Sequence, residues 1–211
     1  MKKHLLLALL LSSSMYGQIS FDQGYIIDNT NQKTNCLIKN LDWKNNPNEI
    51  EYKLFENTKP VKVAVQSIKE FGIDNVSKYI SCNVNIDRSS EITNKLSRNK
   101  EPNFKKEVLF LKVLIEGNAN LYVYENRNLT RYFYSTKDSG IEQLIYKSYV
   151  NEYNKISKNN SFRNQLWNSL KCSNSDINVV KNLNYQRSDL MNVVVEPISI
   201  MKTNKKGICL I

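Results

Sequence analysis

The residues of this chain with chemistry to offer are few. They are four cysteines, Cys36, Cys82, Cys172 and Cys209, one histidine, His4, and a dense polar cluster, Asp87-Arg88-Ser89-Ser90. No two cysteines are spaced as CxxC, so neither a zinc ribbon nor a thioredoxin-like redox pair is indicated. Four cysteines allow three disulfide pairings, and the spacing does not choose among them; free buried thiols are the alternative for each. Asp87 to Ser90 closes an alternating apolar run, which makes it either a binding lip or turn chemistry at a strand end. The 20 carboxylates are scattered and suggest no acid–base pair. A GxxxxGK phosphate loop, a GxGxxG, a GxSxG and an HExxH are all missing from the text. No catalytic, cofactor-binding or metal-binding residue is therefore assigned, and no cofactor is expected.

The position of His4 matters more than its presence. It lies in MKKHLLLALLLSSSMYGQ, where Lys2 and Lys3 precede seven uncharged apolar residues, Leu5–Leu11, and then serines and Gly17. That order is the layout of a secretory signal peptide. The apolar run is too short to span a bilayer, which takes about 20 helical residues. Cleavage after Gly17 is expected, although Met15 stands where a small residue is the norm. The mature chain then has no imidazole, which excludes Ser-His-Asp and Cys-His catalysis and His-containing zinc sites. It is an exported chain, periplasmic or outer-membrane associated, and disulfides are permitted there.

The 30 Lys and Arg against 20 Asp and Glu give a formal charge of +10; two of the bases fall in the leader, so the mature balance is 28 against 20, or +8. A basic exported protein suits envelope lipid, acidic glycan or an outer-membrane protein as partner. Nucleic acid is excluded by compartment. The lysines are scattered, so solubilising charge is the simpler account of most of them. At 41% hydrophobic and 10% aromatic residues, the chain has the composition of a folded domain.

The elements that would carry these residues read as strands first and helices last. Tyr25–Asp28 and Thr34–Lys39 flank the turn-forming NTNQK and predict a hairpin. Ile50, Tyr52 and Leu54 alternate with charges, Val61, Val63 and Val65 repeat the pattern, and SIKEFGI reads as a strand end or turn. Ile80, Cys82, Val84 and Ile86 should share one face of a strand ending at Asp87. Residues 88–104 lack periodicity and read as a mobile loop. The apolar text that follows divides at Gly117–Asn120 and Glu125–Asn128 into three strands, with Leu121 and Val123 opposite Tyr122 and Tyr124. Tyr122, Tyr124, Tyr132, Phe133 and Tyr134 could form a ligand platform; cross-strand packing is the commoner use. IEQLIYKSYV fits a helix or a strand. Phe162, Leu166, Trp167 and Leu170 recur at helical spacing after the cap residues Asn160 and Ser161, and Ser175–Leu183 and Ser188–Val195 read as two further short helices. Trp43 and Trp167 are expected to pack, Trp43 with partial exposure. The fold class is α+β: an antiparallel, β-rich N-terminal and central part followed by short C-terminal helices. Residues 1–17 form the leader, 18–195 a single extracytoplasmic domain, and 196–211 an irregular tail.

The stretches GYIIDN, CLIKNLDWKNNP, SIKEFGI, VNIDRSS, LFLKVLIEGNANLY, RYFYS, IEQLIYKSY and FRNQLWNSLKCSN together resemble an uncharacterised family of exported flavobacterial proteins. The resemblance runs from about Tyr25 to about Leu190. In that family such a region precedes an outer-membrane β-barrel domain, and no catalytic residue comes with it. Some relatives carry the label of tRNA-modification GTPase, which the missing phosphate loop and the leader contradict here. The family's partner for Cys172 would fall near Ile200, where no cysteine stands; Cys209 substitutes, or Cys172 stays free. From about Pro197 the text departs from the family and reads as a truncated or frame-shifted tail. Three functions are open on these grounds. The favoured one is a non-enzymatic exported binding or structural module of the cell envelope. The others are a carboxylate-dependent enzyme acting on envelope glycans and a nonfunctional fragment of a longer barrel protein.

Overall fold

The computed structural model describes residues 20–170 and 177–194. The presumed leader, Cys172, Cys209 and the tail lie outside the described residues. The NTNQK turn closes the first hairpin, between β1 (Ser20–Asp28) and β2 (Lys33–Asn40). Asp28 Oδ1 accepts from the Thr30 and Gln32 amides and the Thr30 hydroxyl, and Asn31 takes a left-handed φ of 69°. Asparagine tolerates that conformation better than most residues. The chain continues outward as β3 (Glu49–Lys53) and β4 (Val61–Ala64). It then crosses back as β5 (Ile68–Ile73) to the free side of β1. Here Gly24 pairs with Ile73 and Tyr25 with Gly72, and a Cβ on Gly24 would sit 2.2 Å from the Gly72 carbonyl oxygen. Only glycine fits that approach.

From β5 the chain meanders through β6 (Ser77–Asp87), β7 (Phe104–Ile115), β8 (Ala119–Asn126), β9 (Leu129–Thr136) and β10 (Glu142–Gln143). The ten-stranded antiparallel sheet has the order β10-β9-β8-β7-β6-β5-β1-β2-β3-β4. Period-two alternation gives β6 and β7 two working faces. Tyr79 and Phe110 join Ile26, Ile38, Ile50 and Phe71 on one side, while Ile80, Leu109 and Leu111 join Ile86, Tyr122 and Phe133 on the other. The β6–β10 half rolls until Gln143 of β10 accepts the Asp87 amide of β6, at 2.8 Å.

A small second sheet, β11 (Lys147–Val150) with β12 (Ile156–Asn159), leads into α1 (Phe162–Leu170). Phe162, Leu166 and Leu170 are all buried, at i, i+4 and i+8, against Leu121, Val123, Tyr132 and Tyr134 on the outer face of β8 and β9. Each such side chain contributes about 1.5–3 kcal/mol by leaving water. Asn159 organises the approach to α1, its Oδ1 accepting from the Ser161 amide and hydroxyl. Then come α2 (Asn178–Lys181) and α3 (187–194). Among the described residues no helix is long and apolar enough to cross a membrane.

The protein is thus broadly α+β, with antiparallel sheet strongly dominant. Some local expectations change. Leu54 is 48% exposed, because β3 stops at Lys53 and a turn held by Thr58 Oγ1 and the Phe55 backbone begins. IEQLIYKSYV resolves into β10 and β11 rather than a helix. Residues 88–103 hold only the short 3-10 turn Thr93–Lys95, yet hydrogen bonds tie them down at many points.

One loop residue substitutes for a strand. The β7–β8 ladder runs only from Lys112↔Val123 to Ile115↔Leu121. Beyond it, buried Asn46 from the β2–β3 loop bridges the gap. Its Nδ2 donates to the Phe110 and Val123 carbonyls at 2.8 and 2.9 Å, and its Oδ1 accepts from the Glu125 amide at 3.0 Å. Asn46→Ala strands three backbone groups, and urea unfolding should register a loss of about 2–4 kcal/mol; a loss below about 0.5 kcal/mol would contradict this role.

Candidate functional site

The structure brings Asp87, Arg88, Ser89 and Ser90 together with residues from β7, β8, β9 and β10. β9 supplies Arg131. It shares an inward strand face with Phe133, and its side chain is only 1% exposed. Its Nε donates to the Asp87 carbonyl at 3.0 Å, Nη1 to the Thr130 carbonyl at 3.1 Å, and Nη2 to the Ser89 carbonyl at 2.9 Å. A planar fork of donors suits this divergent set of carbonyls, which a lysine ammonium could not reach together.

Two carboxylates lie against the guanidinium. Asp87 is wholly buried, with Oδ2 3.8 Å from Arg131 Nη2, and Glu91 Oε1 lies at 3.2 Å. Both oxygens pair by charge but stand outside hydrogen-bond geometry with Arg131. The other Asp87 oxygen, Oδ1, accepts from the Ser89 amide and hydroxyl and from the Asn103 amide, at 3.1, 2.6 and 3.1 Å. One aspartate therefore closes both ends of the 88–103 segment.

Arg88 extends the cluster to β7 and β8. It forks onto Glu107 at 3.1 and 2.7 Å, reaches the Tyr124 hydroxyl at 3.2 Å, and lies 4.7 Å above the Tyr124 ring centre. The hydrogen bonds from Arg88 hold the Glu107 carboxyl below its usual range, and Glu107 in turn raises the Arg88 guanidinium. Ser90 Oγ accepts the Ile92 amide. All four residues of the sequence-predicted lip are thus engaged in holding their own segment. The chemistry this cluster performs is charge-compensated fastening.

Sequence reasoning found Asp87–Ser90 but missed Arg131, Glu91 and Gln143. A signal for Arg131 existed: in LTRYFYST it occupies the same strand face as Phe133, an inward position that a charge takes only with partners. Glu91 and Gln143 carry no comparable mark.

The aromatics of β8 and β9 are buried on both sides of the sheet. Tyr122, Tyr124 and Phe133 pack inside the roll, and Tyr132 and Tyr134 lie under the helices. They serve cross-strand packing and not a ligand platform. Trp43 and Trp167 are both half-buried; Trp43 stands edge-on to Phe71 and Tyr79 at 5.6 and 5.8 Å. An open groove beside it is lined by Leu41–Glu49, the same loop that delivers Asn46. Cys36 and Cys82 stand as free thiols in the clusters on opposite faces of the sheet. Burial pushes their pKa up to about 11 and about 12. Among the described residues no group of three or more His, Cys, Asp or Glu side chains is placed to hold a metal.

No family model, curated protein or solved structure matches this chain.

Two predictions follow from this geometry. Arg131→Met leaves Asp87 and Glu91 without their counter-charge and should cost about 3–5 kcal/mol in denaturant unfolding; a variant as stable as the parent would refute the fastening role. For the thiols, the folded state holds its protons more tightly than the unfolded chain, whose cysteines titrate near 9. Their contribution is therefore complete below pH 9 and lost as pH rises toward 11 and 12. Chemical unfolding of the Cys36→Ala/Cys82→Ala variant should show a shallower alkaline decline than the parent, and an identical decline would contradict it.

Proposed function

We propose that the protein is a non-enzymatic, exported module that binds or braces components of the cell envelope. The observation that carries this reading is the burial of Asp87 and Arg131. The cluster built on the sequence-predicted lip is sealed at its centre, where Asp87 and Arg131 are 0% and 1% exposed, and is committed to holding the 88–103 segment. For the competing carboxylate-enzyme reading, the candidate pair beside the sequence-predicted lip is Asp87 and Glu91, which converge on Arg131. Glycosidic chemistry requires substrate between two such groups, and a fully buried aspartate leaves no approach for a sugar ring.

Several other features support the envelope reading. The Met1–Gly17 leader layout is one, and the excess of bases in the remaining chain is another. A third is the resemblance to exported flavobacterial proteins. A β-dominated scaffold with irregular, well-fastened connections suits a binding module, because rigid sheets position loops for contact.

Fractionation of the source cells with intact-mass measurement tests the reading. The expected result is recovery in the envelope fraction with a mass that begins near Gln18. Recovery from the cytosol with Met1 and His4 retained would overturn it.

A further inference from the structure

We propose that the β11–β12 hairpin, together with the 92–100 stretch it packs on, is a contact surface for an anionic lipid bilayer. The inference rests on the envelope reading above and names the partner.

The surface is built from two segments joined by hydrogen bonds. The Val150 amide donates to the Ser97 carbonyl at 3.0 Å, Arg98 Nη2 to Asn154 Oδ1 at 2.8 Å, and Asn159 Nδ2 to the Lys100 carbonyl at 3.2 Å. Buried Lys147 adds a bond from Nζ to the Glu101 carbonyl at 2.6 Å. On β12, Ser157 and Asn159 face inward, while Ile156 and Lys158 face out. The turn between the strands is fixed by Asn151, whose Oδ1 accepts the Tyr153 and Lys155 amides at 3.0 and 2.9 Å, and by Asn154 at a φ of 55°.

That turn holds an aromatic side chain out in solvent. Tyr153 is 74% exposed and Ile156 is 54% exposed. A rigid turn has already lost the backbone freedom that a flexible tip would lose on docking. The same two segments carry exposed bases: Lys155 and Lys158 on the hairpin, with Lys95, Arg98 and Lys100 on the adjoining stretch. Two exposed acids, Glu101 and Glu152, oppose these five. An amphipathic tyrosine beside an aliphatic residue suits the headgroup–acyl boundary. A local excess of lysine and arginine adds attraction to an anionic leaflet. A glycan partner would use the charge but has no need of Ile156.

The second exposed apolar tip, Leu54 and Phe55 between β3 and β4, has a fixed turn as well, but the base bonded to it is the single Lys53, on the carbonyl of exposed Glu56. It serves as the internal control.

Sedimentation of the full chain with large vesicles tests the proposal, using phosphatidylcholine alone or in equal parts with phosphatidylglycerol. Met1–Gly17 is common to every variant, so differences between variants read the hairpin. The chain should partition onto the anionic vesicles, and less so as salt rises. Lys155→Glu/Lys158→Glu should lower the bound-to-free ratio about tenfold or more. Tyr153→Ser/Ile156→Ser should lower it about fivefold, and Phe55→Ser/Lys59→Glu should leave it unchanged. Because all the altered side chains are exposed, unfolding midpoints should match the parent. Amide exchange should slow over 151–158 on vesicle addition. Equal binding by the two hairpin variants, slowing confined to another region, or retention on an acidic polysaccharide without vesicle binding would each overturn the proposal. A cytosolic location in the fractionation experiment defeats the envelope reading alone, so the two failures are distinguishable.

Discussion

A single buried guanidinium holds the architecture in register. Arg131 projects from β9 into the end of the rolled half-sheet and grips the backbone where β6 ends, at Asp87 and Ser89. Residues 88–103 reach the sheet mainly by polar ties, from Arg131, Asp87 and Arg88. That segment has little apolar content and almost no regular structure. Burying such a charge is costly unless it is paired and hydrogen-bonded. Here both conditions are met, by three carbonyls and two carboxylates. The same economy recurs at Asn46, another polar side chain that satisfies main-chain groups the ladder leaves open.

The consequences run outward in order. Arg131 fixes Ser89, and Asp87 ties Ser89 to Asn103. The segment between them then offers Ser97, Lys100 and Glu101 as acceptors for the β11–β12 hairpin. The hairpin in turn feeds α1 through Asn159, and Gln165 of α1 returns to the sheet edge by bonds to Ile145 and Gln143. Tyr185 completes the layer. Its hydroxyl accepts the Tyr132 amide and donates to the Leu144 carbonyl while its ring stacks on Tyr146. Burial drives that phenol's pKa well above the ordinary range.

Much of this was legible in the residues, and the exceptions have physical reasons. Alternation predicts the partition of Ile80, Cys82, Val84 and Ile86 from Tyr79, and of Leu121 and Val123 from Tyr122 and Tyr124, because side-chain direction in a strand is a local property. The helical spacing of Phe162, Leu166 and Leu170 is equally local. The crossover that sets β5 beside β1, the wedge of Asn46 between β7 and β8, and the docking of the β11–β12 hairpin on residues 97–101 depend on partners far away in the chain, and no short stretch encodes them. The polar cluster at Asp87 was visible as a cluster, but its role depends on Arg131, 44 positions later. Read alone it suggests a lip; read with its partner it is a fastening.

Native-state amide exchange on the parent and on Arg131→Lys tests this dependence most directly. In the parent, the amides of Ser89, Asn103 and Val150 should exchange only through global unfolding. In the lysine variant, which keeps the charge but not the fork, these three should exchange far faster while amides of the β1–β2 hairpin hold their protection. If the three amides exchange at loop-like rates in the parent, or are unmoved in the variant, Arg131 does not hold this part of the fold together.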